Sequence, residues 1–114
     1  MEDKAKFFKV LSDPSRLRIL KMLQVKPLCV CEITAVLDLA TSTVSQHLKM
    51  LKTEGFILEE KDGKWVNYEL NHNPSDKRIT ALLSSLDFWI SDESTIQSDK
   101  IKVMHSDRNI ICCK

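Results

Sequence analysis

Glycine and proline are scarce in this sequence, which has two glycines and three prolines among its 114 residues. This scarcity excludes collagen-like and linker-like chains and all-β folds with many turns, and it favours helices. The chain also lacks an uncharged run long enough to span a bilayer, and we expect no signal peptide at its start. The sequence therefore predicts a cytoplasmic protein without a membrane partner.

Neither sign of charge dominates, since 17 basic and 16 acidic residues leave a net charge of +1. Charge alone neither indicates nor excludes a polyanionic partner. What is present is the composition of one globular domain, with 43% hydrophobic and 29% charged residues, which excludes wholesale disorder. In a reducing compartment, the four cysteines are more typical of thiols or metal ligands than of a disulfide framework.

Four helices are predicted before the first glycine. The clearest start is Asp13-Pro14, because the aspartate can cap free backbone N–H groups and a proline at the first helical position lacks only a donor that has no partner. This helix must end before Pro27. Apolar residues recur at three- and four-residue spacings along the segments. The predicted helices cover residues 3–11, 14–26, 28–37 and 42–54.

A β-hairpin is predicted after the fourth helix. Gly55 suits a left-handed helix cap, and the apolar pattern after it changes from helical to alternating. Two strands, at 56–61 and 64–70, flank Asp62-Gly63, a dipeptide suited to a two-residue hairpin turn.

The last third of the chain is predicted to hold one more regular helix. Asn73-Pro74 is expected to open it, and its apolar stripe runs from Ile79 to Trp89. From Asp92 onward apolar residues thin out, which predicts a weakly structured tail or a loose helix.

The fourth predicted helix has two separate faces, and Val44, Leu48 and Leu51 form its apolar one. A helix, a tight break, this helix and then a hairpin predict a winged helix-turn-helix, mainly α with a β-hairpin wing, whose polar face reads the major groove of DNA. The alternative is an ordinary solvated helix face. The candidate DNA-binding residues, which include lysines for phosphates, are Thr41, Ser42, Thr43, Ser45, Gln46, His47, Lys49, Lys61 and Lys64.

Four stretches of the chain together resemble the ArsR/SmtB family of metalloregulators. FKVLSDPSRLRIL at 8–20 is similar to the family's opening, LCVCEI at 28–33 to its arsenic-sensing third helix, TVSQHLKML at 43–51 to its recognition helix and GKWVNY at 63–68 to its wing. The resemblance implies a homodimeric repressor, paired through its first and last helices, that leaves operator DNA when a thiophilic ion binds. It also implies that His47 faces DNA and that the stripe from Ile79 to Trp89 is dimer interface as well as core. Residues 1–91 would then be the DNA-binding and dimerisation domain, and residues 92–114 a tail.

The candidate metal ligands are the thiolates of Cys29 and Cys31. Soft thiolates select trivalent arsenic and antimony, or cadmium, zinc and lead; the alternative is two small buried hydrophobes. With the resemblance, the pair predicts a repressor that responds to trivalent arsenic or antimony, inorganic or methylated, without an organic cofactor. Residues i and i+2 of a helix point about 200° apart, so either this turn is irregular or ion binding unwinds it.

A third sulfur ligand would have to come from another part of the chain. Some family members carry a third cysteine where this sequence has Thr34, and a hydroxyl is a poor substitute for a thiolate on arsenic. The remaining thiols, Cys112 and Cys113, are therefore candidate ligands, with an exposed tail of no role as the alternative. The zinc site of the family's last helix needs histidine where two aromatic residues follow Asp87, so zinc sensing there is not expected.

Several other classes of function are weighed against this hypothesis. One is a redox-sensing repressor in which either cysteine pair oxidises, and another is a repressor of the same fold that senses cadmium, lead or zinc. A thiol oxidoreductase is disfavoured because its CxxC spacing is missing. A plain dimerising domain would leave the polar helix face and the wing unexplained. The sequence has no serine-histidine-acid arrangement and no glycine-rich phosphate motif, so we expect no enzyme.

Overall fold

A computed structural model describes residues 1–106, and helices dominate this part of the chain. The predicted architecture, mainly α with a β-hairpin, is confirmed. None of the helices in this range combines the length and the apolar run that a membrane span requires. In chain order the elements are α1 (Glu2–Leu11), α2 (Pro14–Val25), β1 (Leu28–Cys29), α3 (Val30–Leu37), α4 (Thr41–Thr53), β2 (Ile57–Asp62), β3 (Trp65–Leu70), α5 (Lys77–Trp89) and α6 (Ser94–Met104).

The predicted signals at the ends of α2 and α4 are confirmed. The carboxylate of Asp13 accepts hydrogen bonds from the backbone N–H groups of Ser15 and Arg16, so α2 begins with a satisfied cap. At the end of α4, Gly55 has a φ of +89°, a conformation that a residue with a Cβ rarely adopts. The N–H of Phe56 then bonds the carbonyl of Leu51, which closes the helix and turns the chain toward the hairpin.

The sheet has one strand that the sequence analysis did not predict. Its order is β1-β3-β2, and β1 pairs antiparallel with β3 through Leu28 opposite Tyr68 and Cys29 opposite Asn67. The prediction that Leu28 and Cys29 belong to the third helix was therefore wrong. Two residues are too few to show an alternating pattern, and the pairing depends on a distant strand.

The hairpin turn lies one residue later than predicted. Asp62 pairs with Trp65 at the end of the ladder, so the two-residue loop is Gly63-Lys64 and not Asp62-Gly63. Gly63 has a φ of +62°, which suits the first position of the tight turns that join twisted strands. The shift leaves Lys64 at the tip of the wing.

A single core lies between the helices and the inner side of the sheet. The rings of Phe7 and Phe56 stack with their centroids 4.8 Å apart, which fixes α1 against the end of α4. The fully buried apolar side chains include Ile19, Leu20, Leu28, Ile33, Val44, Leu48, Leu51, Phe56 and Val103. The apolar stripe predicted for α4 is thus confirmed as its core-facing side.

The C-terminal part of the described chain differs from expectation in one place. The fifth helix begins at Lys77, where the Asp76 side chain accepts from the N–H of Arg78, and not at Asn73-Pro74. Of the two alternatives for the segment after Asp92, a weakly structured tail or a loose helix, Ser94–Met104 form a helix, α6, which packs on α2 and α3. This helix is hard to recognise in the sequence because its apolar residues are sparse. An ion pair with a buried carboxylate contributes to its packing instead.

That ion pair joins α6 to α2. Arg18 donates to both carboxylate oxygens of Asp99, at 2.7 and 2.9 Å, and Asp99 is only 2% exposed. The hydrogen bond to Asp99 raises the pKa of Arg18, so the guanidinium stays charged. Ile96 and Val103 bury their side chains one helical turn before and after Asp99. The contact therefore anchors α6 on the body of the protein.

Candidate DNA-binding surface and thiol site

The polar side of α4 is exposed along its length, as a helix that reads DNA requires. Val44, Leu48 and Leu51 hold the opposite side in the core. The exposed candidates on α4 are Thr41, Ser42, Thr43, Ser45, Gln46 and Lys49. Short hydroxyl side chains, an amide and a lysine on one exposed face provide donors and acceptors for base edges and phosphates.

The α3–α4 connection positions this face at the surface. Residues 38–40 link the two helices, and Asp38 takes a left-handed conformation with φ 56° while its N–H bonds the carbonyl of Thr34. The N-cap of α4 is Ala40, whose methyl group offers no polar cap. The first N–H groups of α4 are therefore suited to an outside acceptor such as a phosphate.

His47 is placed differently from the other candidates on α4. Its side chain is half-buried, and its Nδ1 lies 3.2 Å from Nη1 of Arg16 on α2. Arg16 itself is buried, and its Nε donates to the carbonyl of Val10 at 2.6 Å. Sequence reasoning missed Arg16, because its partners on α1 and α4 become neighbours only in the fold. The contact orients α4 relative to α1 and α2.

The hairpin extends from the body as a wing with lysines near its tip. Lys61 and Lys64 are exposed, and Nζ of Lys64 lies 4.6 Å from the centre of the Trp65 ring. The hydroxyl of Tyr68 donates to Glu59 on the neighbouring strand. Burial, together with this hydrogen bond, raises the pKa of Tyr68 to about 12, so the phenol remains a hydrogen-bond donor to Glu59 well above neutral pH.

Cys29 and Cys31 lie at the junction where β1 meets α3. Cys29 is 2% exposed, forms no disulfide and is the N-cap of α3, with an extended backbone at φ −90° and ψ 169°. Cys31 is exposed in the first turn of α3 and takes part in a disulfide, which differs from the expectation of thiols or metal ligands. Because Cys29 precedes the helix with an extended backbone, the chain from Cys29 to Cys31 is not a regular helical turn.

A third ligand for this pair is not found among the described residues. Within residues 1–106, no group of three or more His, Cys, Asp or Glu side chains is arranged to hold a metal ion. The hydroxyl of Thr34 donates to the carbonyl of Val30 within α3. The other candidate ligands, Cys112 and Cys113, lie outside the described residues.

Asp87 on α5, beside which no zinc site is expected from the sequence, contacts Lys21 on α2. Its carboxylate accepts a hydrogen bond from Lys21 at 2.7 Å, and this bond lowers the pKa of Asp87.

The two aromatic residues that follow Asp87, Phe88 and Trp89, are 87% and 65% exposed. Phe8 on α1 is 61% exposed as well. The outer sides of α1 and α5 thus carry large apolar groups suited to contact with another surface.

Glu32, which lies beside the cysteines, is the second group after Arg16 that sequence reasoning missed. Its side chain is 2% exposed, and its Oε1 accepts from the N–H of Cys29 at 3.1 Å. The sulfur of Cys29 accepts in return from the N–H of Glu32, which completes a capping box. The spacing Cys29-x-x-Glu32 could have indicated this arrangement, since a capping box joins the N-cap to the third helical residue.

A family model and individual relatives both show similarity to bacterial regulators of the arsR family. The model of bacterial regulatory proteins of the arsR family matches residues 13–58. The arsenic resistance transcriptional regulator ArsR2 of Pseudomonas putida is 32% identical over 112 residues, covering 93% of this chain and 94% of that protein. The arsenical resistance operon repressor of Escherichia coli is 41% identical over 70 residues, which are 60% of each chain.

A cadmium regulator is similar to the same extent. The cadmium resistance transcriptional regulatory protein CadC homolog of Staphylococcus aureus is 41% identical over 70 residues, covering 60% of this chain and 58% of that protein. The matched part thus spans about three fifths of the Escherichia coli and Staphylococcus aureus relatives, 60% and 58% of their lengths.

A solved structure has the same fold. The homodimeric winged helix-turn-helix DNA-binding domain Mb0332 of Mycobacterium bovis superposes with a TM-score of 0.65 at 20% identity, covering 82% of both chains. The predicted winged helix-turn-helix fold is therefore confirmed.

Proposed function

Since the chain belongs to the arsR family of bacterial regulatory proteins, we propose that it is a homodimeric repressor that releases operator DNA when trivalent arsenic or antimony binds its cysteine thiolates. The family match supports a transcriptional regulator rather than an enzyme. The observation that carries the proposal is the position of the cysteines. Cys29 and Cys31 open α3, and α3 leads through residues 38–40 directly into α4.

DNA recognition is assigned to the exposed side of α4 and to the wing. Gln46 is the best candidate for base readout, because an amide can bond an adenine edge with two hydrogen bonds. Lys49, Lys61 and Lys64 are exposed and can reach phosphates on either side of α4. His47 is expected to face DNA. Its contact with Arg16 supports a second role, which is to fix the orientation of α4.

The inducer class follows from the chemistry of the donors. Thiolates are soft ligands, and they favour trivalent arsenic and antimony over hard cations. Ligation requires Cys31 in its reduced form and Cys29 deprotonated and moved from its buried position. Such a movement would disturb the first turn of α3, and α3 packs directly on α4. Ion binding and DNA binding would thereby be coupled reciprocally.

Dimerisation is assigned to the outer sides of α1 and α5. Phe8, Phe88 and Trp89 are exposed there, and a second copy of the chain would cover them. The dimer would then pair through the first helix and the fifth, since α6 packs on its own chain through Arg18 and Asp99.

Two other inducers have specific support. The similarity to the cadmium regulator favours cadmium, and with it other thiophilic divalent ions such as lead or zinc, as a ligand of the same pair. The disulfide of Cys31 favours a redox-sensing repressor, in which oxidation and not ion binding changes the first turn of α3. Both alternatives keep the same fold and the same DNA-binding surface.

Gln46→Ala should weaken operator binding by about 1–3 kcal/mol and relax the preference for one base, because a paired amide is lost from the reading face. The matched control is Gln97→Ala, which changes an exposed glutamine on α6, away from α4. Titration of labelled operator and of operators with single base changes measures both effects. Equal affinity of the two variants would contradict the assignment of α4 as the reader.

Truncation after Ile111 should retain operator binding and weaken the response to arsenite, because Cys112 and Cys113 are the proposed source of a third thiolate. In a monomethylated arsenical, carbon occupies one of the three positions on arsenic, so two sulfur ligands suffice. This compound should still release the truncated protein from the operator. Operator release is measured with both arsenicals on both proteins at equal thiol reduction. An unchanged arsenite response would show that the terminal cysteines are not ligands.

A further inference from the structure

The buried carboxylate of Glu32 links the cysteine-bearing turn to the end of α6. One oxygen accepts from the N–H of Cys29 at 3.1 Å, and the other lies 3.0 Å from the hydroxyl of Ser106, directly after α6. Glu32 and Ser106 are 74 positions apart in the sequence, so this contact joins distant parts of the chain. Glu32 is therefore more than a local helix cap.

Ser106 is held firmly enough to act as an anchor. Its N–H bonds the carbonyl of Val103, and its own carbonyl accepts from Nζ of Lys26 at 3.3 Å. Its hydroxyl is equally distant, 3.0 Å, from the carbonyl of Val103 and from Glu32, and the charged carboxylate is the stronger acceptor of the two. Further along α6, Asp99 is bound to Arg18 on α2.

Opening the turn would break this link. A buried carboxylate that loses its hydrogen bonds is unfavourable, because the interior does not replace the water that folding removed. Cys29 is buried while Cys31, two residues later, is exposed, so their sulfur atoms do not share one accessible face. We therefore expect a ligand that takes both thiolates to draw Cys29 away from Glu32.

We propose that Glu32 is a positioning residue that keeps the cysteine-bearing turn closed by bridging Cys29 to Ser106, so that α6 sets how readily Cys29 meets an inducer. The regulatory part of this inference rests on the proposed function. Binding of an ion then competes with the Glu32 contacts, and the concentration needed for operator release rises with their strength. A residue that never touches the ion thereby tunes the response.

The direct test is the rate at which a soluble alkylating reagent modifies Cys29 in the reduced protein, read by mass spectrometry of its peptide. Glu32→Ala should raise this rate about fivefold, the factor that corresponds to one capping hydrogen bond. Ser106→Ala should raise it about two- to threefold, because the N–H bond of Cys29 remains. Glu32→Gln should restore a rate near that of the wild type, since an amide can still accept from Cys29 and donate to Ser106.

The controls separate this role from general weakening of the fold. Ser98→Ala changes an exposed serine on the same helix and should leave the rate unchanged. Because Glu32→Ala removes a buried group, Ser106→Ala decides the question if the first variant unfolds. Rates within the error of the wild type for both Glu32→Ala and Ser106→Ala would overturn the proposal, whatever the inducer is.

The second measurement concerns the inducer. In titrations of the protein–operator complex with arsenite, Ser106→Ala should lower the arsenite concentration at half release about two- to threefold relative to Ser98→Ala, with each value normalised to that variant's own operator affinity. An unchanged half-release concentration, alongside normal release of the wild type, would overturn the regulatory part. Failure of arsenite to release the wild type would instead contradict the proposed inducer, and the alkylation rates would still decide the role of Glu32.

Discussion

Cys29→Ser and Cys31→Ser should each keep operator binding and lose the release that arsenite causes. Each substitution removes one soft ligand. Loss of a group that only hydrogen-bonds to a metal ligand already lowers metal affinity about 10- to 100-fold, and loss of the ligand itself should cost more. We therefore expect the arsenite concentration at half release to rise more than about a hundredfold. Serine is a preferred helix N-cap, so Cys29→Ser removes the sulfur and leaves an oxygen to cap α3.

Operator affinity without arsenite and the arsenite titration are measured on the same preparations under reducing conditions. Thr34→Ser is the matched control, because it alters a side chain of the same helix without removing a thiol. Normal release by both cysteine variants would exclude the pair as the sensor. Loss of operator binding in the absence of arsenite would instead show that the thiols support the fold of the reader.

Arg18→Ala should lower the free energy of unfolding by about 3 kcal/mol. The substitution leaves Asp99, which is 2% exposed, with a buried charge and without the two hydrogen bonds that it accepts from Arg18. The first consequence should be detachment of α6, because Asp99 is the charged contact between α6 and α2. Chemical denaturation measures the free energy, and hydrogen exchange of Ser94–Met104 reports the detachment.

The matched control is an exposed ion pair of the same protein. Lys52 lies 3.4 Å from Glu59, with side chains 50% and 38% exposed, so Lys52→Ala should change stability by less than about 1 kcal/mol. In the double variant Arg18→Ala with Asp99→Ala, part of the loss should be recovered, because no unpaired charge remains. Equal effects of Arg18→Ala and Lys52→Ala would show that α6 does not depend on the buried pair.

Features encoded by neighbouring residues could be predicted from the sequence. The cap at Asp13, the left-handed Gly55 and the two faces of α4 each depend on a few adjacent positions, and the structure confirms all three. The hairpin was found with an error of one residue at Gly63, since Asp62-Gly63 and Gly63-Lys64 both suit a tight turn.

Features that depend on distant partners could not be predicted. Arg18 and Asp99 are 81 positions apart, and the residues around each of them do not indicate that the two side chains meet. The same is true of β1, which exists because Leu28 and Cys29 meet β3. Assigning Cys29 to a helix concealed the buried, extended conformation of the residue. The candidate cysteines could thus be named from the sequence, while their unequal exposure required the fold.

The central claim is that thiolate ligation of a trivalent ion releases the operator, and one titration tests it directly. Fluorescence anisotropy of a labelled operator bound to the reduced protein is followed as arsenite is added, and in a parallel sample as peroxide is added. The account predicts release at stoichiometric to modest excess of arsenite, reversed by a competing dithiol, and no release by peroxide over the same range. Release by peroxide with no effect of arsenite would contradict it and identify a redox sensor.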